Sequence, residues 1–143
     1  VATNGPFSIF PGIDRTLSIL SGEGMTLSIG NVPPVYLTKN SQPLPFAADA
    51  PTDAILANGS ITDLNVMTRQ GVFRHSVEVR TGRLQISPQW GQEAVFVMAT
   101  GPSVVSSDSQ CVTLEALDAV RLDRPAEIDA GKDAAYIIRL TPV

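Results

Sequence analysis

The chain is poor in the residues that build reactive or cross-linked sites. Among its 143 residues there is one cysteine, one histidine and one tryptophan, and aromatic side chains amount to 6%. A lone cysteine, Cys111, cannot staple a fold, so a secreted disulfide scaffold is excluded. With no histidine or basic residue near it in sequence to activate its thiol, Cys111 reads as structural. A lone histidine, His75, excludes any metal site that needs two, and reads as a surface or half-buried strand residue. Trp90, between Gln89 and Gly91, reads as a packing residue. No apolar run approaches the roughly 18 residues that cross a bilayer. The longest, residues 94–99 and 134–138, are strand-sized. Positive charge is scarce as well: 10 Lys and Arg face 14 Asp and Glu, for a net charge of −4. Arg121, Arg124 and Arg139 are scattered near acids, so no basic patch for nucleic acid forms. No Gly-x-Ser-x-Gly elbow and no glycine-rich phosphate loop is present. Neither a cofactor nor a metal is expected. The N-terminus has no signal-peptide pattern and no starting Met, so a trimmed or processed chain with a cytoplasmic location is expected.

What the chain does have is punctuation. Eleven glycines and eleven prolines recur along its length. Between them lie apolar stretches of strand length, and the apolar content of 43% is enough for a packed core. Residues 15–20 alternate, with Leu17 and Ile19 on one face and Thr16 and Ser18 on the other. Residues 25–29 repeat the pattern with Met25, Leu27 and Ile29. Further strands are predicted over 35–37, 52–56, 61–69, 72–79, 83–87, 95–100, 112–114, 119–122 and 134–140. Ser21-Gly22-Glu23-Gly24, Asn58-Gly59 and the segment 80–82 are predicted to close hairpins. Residues 40–50 read as a polar, proline-containing loop. Residues 115–120 carry the one hint of helix. These signals predict an all-β barrel or sandwich. Segments 45–53 and 114–123, each followed by similar strands, suggest that the two halves echo each other.

Three positions stand out chemically. Arg15 opens a strand on the side of Leu17 and Ile19. Its guanidinium either reaches into a barrel mouth, where it would hold a carboxylate at two points, or pairs with a loop acid such as Asp14. Asp63, Asn65, Met67 and Arg69 share one face of their strand by the period of two. That face is either a polar lumen, hence a ligand pocket, or the exposed side of a strand whose Leu64 and Val66 point inward. Asp49 lies in a proline-bounded loop, where it would either line a pocket rim or cap the turn.

Three segments together resemble one family. They are GPFSIFPGIDRTLSIL at 5–20, running on to SGEGMTL at 21–27; PFAADAP at 45–51; and LANGSITDLNVMTR at 56–69. The pattern is similar to the HutD/Ves family, cupin-like proteins that include the histidine-utilisation protein HutD. The match is dense over 5–69 and sparse over 70–143. The family's segment with a Trp-Lys-Asn-Gly-Gly-like motif ahead of this region is absent here. Ala48 stands where the family has a glycine before the loop aspartate. The resemblance implies two packed cupin-like barrels (a bicupin), with halves near 1–75 and 76–143 in one compact unit. It implies a metal-free small-molecule pocket in one barrel. It places Arg15 on the family's pocket arginine and Asp63 and Asn65 on its pocket strand, with Asp49 as a fourth candidate. It also implies a ligand near histidine breakdown, such as a formylated or formiminated glutamate.

Three functional classes follow. The first is a non-catalytic module that binds a small carboxylate through Arg15, Asn65 and Asp63 and modulates histidine utilisation. The second is a metal-independent enzyme using Asp63 as a general base. The third is an interaction protein that forms a homodimer through strand faces. No nucleic-acid or membrane partner is expected.

Overall fold

The computed structural model describes residues 1–143. As expected, the fold is all-β, with fifteen strands and no helix, hence none long and apolar enough to cross a membrane. The chain divides into two compact units, Val1–Gln70 and Gly71–Val143. A cut after residue 75 would split a strand that pairs along its whole length inside the second unit.

The first unit contains β1 (Gly5–Pro6), β2 (Ile13–Ser21), β3 (Met25–Ile29), β4 (Val35–Leu37), β5 (Leu44–Ala47), β6 (Thr52–Leu56) and β7 (Thr62–Arg69). They form a four-stranded sheet in the order β1-β6-β3-β4 and a three-stranded sheet in the order β5-β2-β7. Leu17, Ile19, Met25, Leu27, Ile29, Leu37, Ala54 and Ile61, contributed by both sheets, form its core.

The second unit contains β8 (Phe73–Arg80), β9 (Arg83–Ile86), β10 (Ala94–Ala99), β11 (Ser103–Ser107), β12 (Gln110–Leu114), β13 (Ala119–Leu122), β14 (Ala126–Asp129) and β15 (Ala135–Pro142). Its sheets run β13-β10-β15-β8 and β12-β11-β14-β9, with Val95, Val97, Ile128 and Ile137 at the centre of its core. This is the strand order of an eight-stranded jelly roll. Adding eight to each strand number of the first unit reproduces the second, β1 on β9 through β7 on β15. Segments 45–53 and 114–123 contain most of β5 and all of β13, which occupy equivalent places in this repeat. Only β8 has no counterpart, so the edge of β7 that corresponds to the β8 side of β15 carries no strand. Val1 and Ile61 exchange backbone hydrogen bonds at the head of β7, 3.0 and 2.9 Å.

The alternation read from sequence is realised. Met25, Leu27 and Ile29 are buried and Thr26 and Ser28 only partly so. β2 differs in that Thr16 and Ser18 are buried too. The predicted hairpins are corrected. Ser21–Gly24 joins β2 to β3, Asn58-Gly59 lies between β6 and β7, and 80–82 joins β8 to β9, and in each case the two strands belong to different sheets. The turns are corners of the sandwich rather than hairpin tips. Gly24 is required at its corner: its φ is +107°, and a Cβ there would run into the Leu37 carbonyl. The loop 40–50 contains β5, whose Pro45 is tolerated because β5 is an edge strand. Residues 115–118 form a turn, in which the Glu115 amide donates to the Asp118 carboxylate at 2.9 Å, and 119–120 already belong to β13, so the expected helix is not formed.

Candidate functional site

The first unit places a charged group at the end of an apolar row. β2 and β7 pair antiparallel, with Arg15 opposite Met67, Leu17 opposite Asn65 and Ile19 opposite Asp63. Opposed residues share a face. Leu17 and Ile19, 0% and 3% exposed, identify that face as the core side. Asn65 and Asp63 therefore sit on the inner face beside Arg15. Val66 and Thr68 occupy the other face and are buried as well.

The three polar side chains form a chain of hydrogen bonds. Arg15 Nε donates to Asn65 Oδ1 at 2.6 Å. Asn65 Nδ2 donates to Asp63 Oδ2 at 2.8 Å. Both ends fix the amide, since a flip would turn its NH2 group against the guanidinium. Asp63 Oδ1 lies 3.8 Å from the Val1 ammonium. Two rings flank the guanidinium: its carbon is 4.7 Å from the Phe7 ring centre and 5.6 Å from that of Phe46. Phe46 owes this position to register, because it stands directly opposite Arg15 on β5. Phe7 follows β1 and is tied by its amide to the Thr52 carbonyl at 2.8 Å. Such cation–ring contacts strengthen as water is removed. Burial lowers the Arg15 pKa and the charge of Asp63 opposes that shift. A guanidinium is so strongly basic that Arg15 keeps its charge at neutral pH.

Arg15, Asn65, Asp63 and Phe7 line an open cavity of about 620 Å³, whose remaining lining comes from residues 1–6, Ser8 and Phe10. Arg15 uses Nε inside the protein and forms no ion pair within 4.0 Å. Its two terminal amino groups have no protein acceptor. The expected ion pair with Asp14 is not formed: Asp14 accepts instead from Gln70 Nε2 at 2.9 Å.

The remaining sequence candidates lie elsewhere. Asp49 is exposed in the turn after β5 and does not line the cavity. Tight closure of that turn, by the Ala50 amide on the Ala47 carbonyl at 3.1 Å, holds it away. His75 is half-buried on β8, opposite Leu140. Cys111, expected to be structural, is exposed on the edge strand β12. Trp90, expected to pack, is 84% exposed. No group of three His, Cys, Asp or Glu side chains converges as a metal site. Phe7 and Phe46 are the site residues that sequence reading missed. Phe46 could be found only by recognising β5 as a strand paired to β2.

Comparison with known proteins agrees with this architecture. The chain is 38% identical over 80 residues to a protein Ves of Citrobacter koseri, an alignment covering 55% of this chain and 41% of that protein. Against a protein Ves of Cronobacter sakazakii it is 36% identical over 80 residues, covering 55% and 44%. The alignments thus take in less than half the length of these curated relatives. Among solved structures, HutD from Pseudomonas fluorescens SBW25 superposes with a TM-score of 0.84 at 20% identity, covering 100% of this chain and 76% of that one. A conserved protein of unknown function from Pseudomonas aeruginosa PAO1 gives 0.86 at 21% identity, covering 100% and 79%. These likenesses establish the all-β, cupin-like fold. The HutD family profile matches residues 1–138, well beyond the 5–69 stretch that carries the motifs, and the chain belongs to the HutD family.

Proposed function

We propose that the first unit is a binding module for a small carboxylate, held by Arg15, and that it serves histidine utilisation as a non-catalytic sensor or carrier. One observation supports this most: a half-buried guanidinium is pinned by Asn65 and two phenyl rings, yet its terminal amino groups have no acceptor. The nearest counter-charge, Asp63, reaches the half-buried Arg15 only through Asn65, and a carboxylate meeting both terminal amino groups would offset the remaining desolvation directly. Asp63 accepts hydrogen bonds, so it suits a ligand with an N–H beside its carboxylate. N-formylglutamate and formiminoglutamate have that chemistry.

Calorimetry and thermal shift with N-formylglutamate, formiminoglutamate, urocanate, glutamate and histidine test the proposal. A ligand at about 100 times its Kd adds roughly 2.7 kcal/mol of stability. At roughly 4 °C per kcal/mol that raises the Tm by about 10 °C. Arg15→Gln should abolish the shift and Arg15→Lys should retain part of it. Binding that survives Arg15→Gln unchanged, or the absence of binding by every compound, would overturn the assignment.

A further inference from the structure

The second unit carries a site of different character. At the end of the sheet where β10 starts and β13 and β15 finish lies a cleft of about 480 Å³. Leu122 and Leu140 form its apolar base, and Phe73 and Trp90 stand at its rim. Trp90 is 84% exposed and Phe73 40%. An indole left in water beside apolar walls is a surface that gains by being covered. Trp90 belongs to the connection from β9 to β10. In the first unit the equivalent connection, from β1 to β2, brings Phe7 and Phe10 to the Arg15 cavity. The same loop of the jelly roll therefore frames a concavity in both units.

The charged groups of the cleft differ in how they are bound. Glu93 is bound by Arg139 Nη1 at 2.6 Å and by the Gln89 amide at 3.0 Å. Asp123 is bound by Arg124 Nε at 3.1 Å. Arg121, exposed on β13, forms no hydrogen bond and no ion pair within 4.0 Å, although its charge helps to hold Asp123 ionised. Both acids of the cleft thus have a guanidinium hydrogen-bonded to them, whereas the guanidinium of Arg121 has no acceptor within the protein.

We propose that this cleft binds an aromatic carboxylate, the ring covered by Trp90 and Phe73 and the carboxylate held by Arg121. The assignment is independent of the Arg15 site, because none of its residues belongs to the first unit. A volume of this size accommodates a small ring compound. Planar guanidinium and carboxylate groups match at two points, whereas a neutral amide gains no charge assistance.

Trp90 is the chain's only tryptophan, so its fluorescence, excited at a wavelength where a phenyl ring does not absorb, reports on this cleft alone. The probe is 3-phenylpropionate, compared with 3-phenylpropionamide and with propionate. A saturable change in Trp90 emission is expected with 3-phenylpropionate. Binding should be about tenfold weaker or worse with the amide, with propionate and in Arg121→Gln, the effect of losing a charge-assisted contact. Arg15→Gln should leave it unchanged. Calorimetry on Trp90→Ala, which removes the reporter and the ring surface together, should show a loss of similar size. No saturable change, equal affinity for acid and amide, or full affinity in Arg121→Gln would each overturn the proposal. Arg121 and Trp90 are both exposed, so neither variant compromises folding.

Discussion

Asn65→Ala tests the central claim about the Arg15 site, that the amide orients the guanidinium. The substitution removes the acceptor of Arg15 Nε, at 2.6 Å, and the donor to Asp63 Oδ2, at 2.8 Å. Each bond has one charged partner, and such bonds contribute about 1.5–3 kcal/mol. Both charged groups adjoin the cavity and regain some water, which favours the lower end for each. The expected loss is therefore about 3 kcal/mol in urea-induced unfolding. Arg15→Gln separates the two bonds. In that background the Arg15 bond is already gone, and Asn65→Ala should cost about 1.5 kcal/mol, a coupling of roughly the same size between the two positions. N-formylglutamate affinity should fall about tenfold in Asn65→Ala, because the guanidinium keeps its charge but loses its fixed direction. Additivity of the two substitutions within about 0.3 kcal/mol would refute the reasoning, since uncoupled residues cannot orient one another.

Three further outcomes follow from the packing. Gly24→Ala should destabilise the first unit by more than about 2 kcal/mol, because φ is +107° and the new methyl would meet the Leu37 carbonyl, and urea titration measures it. Ile128→Ala, at a fully buried position in the second core, should cost about 3–4 kcal/mol, and a loss below about 1 kcal/mol in calorimetry would mean that the core collapses around the gap. Burial raises the Tyr136 hydroxyl above its ordinary value of 10.0. Between that value and the folded one, the unfolded chain releases a proton that the folded chain keeps, so stability falls as pH rises through the window. Tyr136→Phe should remove that alkaline component, and an unchanged pH profile of the unfolding midpoint would disprove it.

Much of the secondary structure was legible locally. The alternation of Leu17 and Ile19, and of Met25, Leu27 and Ile29, gave strands and their core faces, because a period of two with one buried side is a property of the strand itself. The strands at 25–29, 35–37, 52–56 and 119–122 have the bounds that the residues predicted. Where sequence reading failed, it failed for identifiable reasons. Pro45 concealed β5, since a proline is compatible with a strand only at an edge and edges are assigned by pairing. Asp and Glu in a four-residue segment concealed β14. Gly22, Gly24 and Asn58-Gly59 marked where the chain reverses, but a reversal does not specify whether the next strand joins the same sheet or crosses to the facing one.

The candidate site shows the same division. Sequence by itself determined an all-β chain with no paired histidines, a single cysteine, and an Arg15 on the strand face of Leu17 and Ile19. It also determined that Asp63 and Asn65 share a face. Only the tertiary structure decided that Arg15, fifty positions before Asn65, meets it across the β2–β7 register, and that Phe46 stands opposite on β5. It also removed Asp49 from the cavity lining and left Trp90 exposed in the same cleft as Arg121. The physical reason is that periodicity fixes the direction of a side chain relative to its own strand. Which side chains it meets depends on long-range pairing, and that is settled by closing both cores at once.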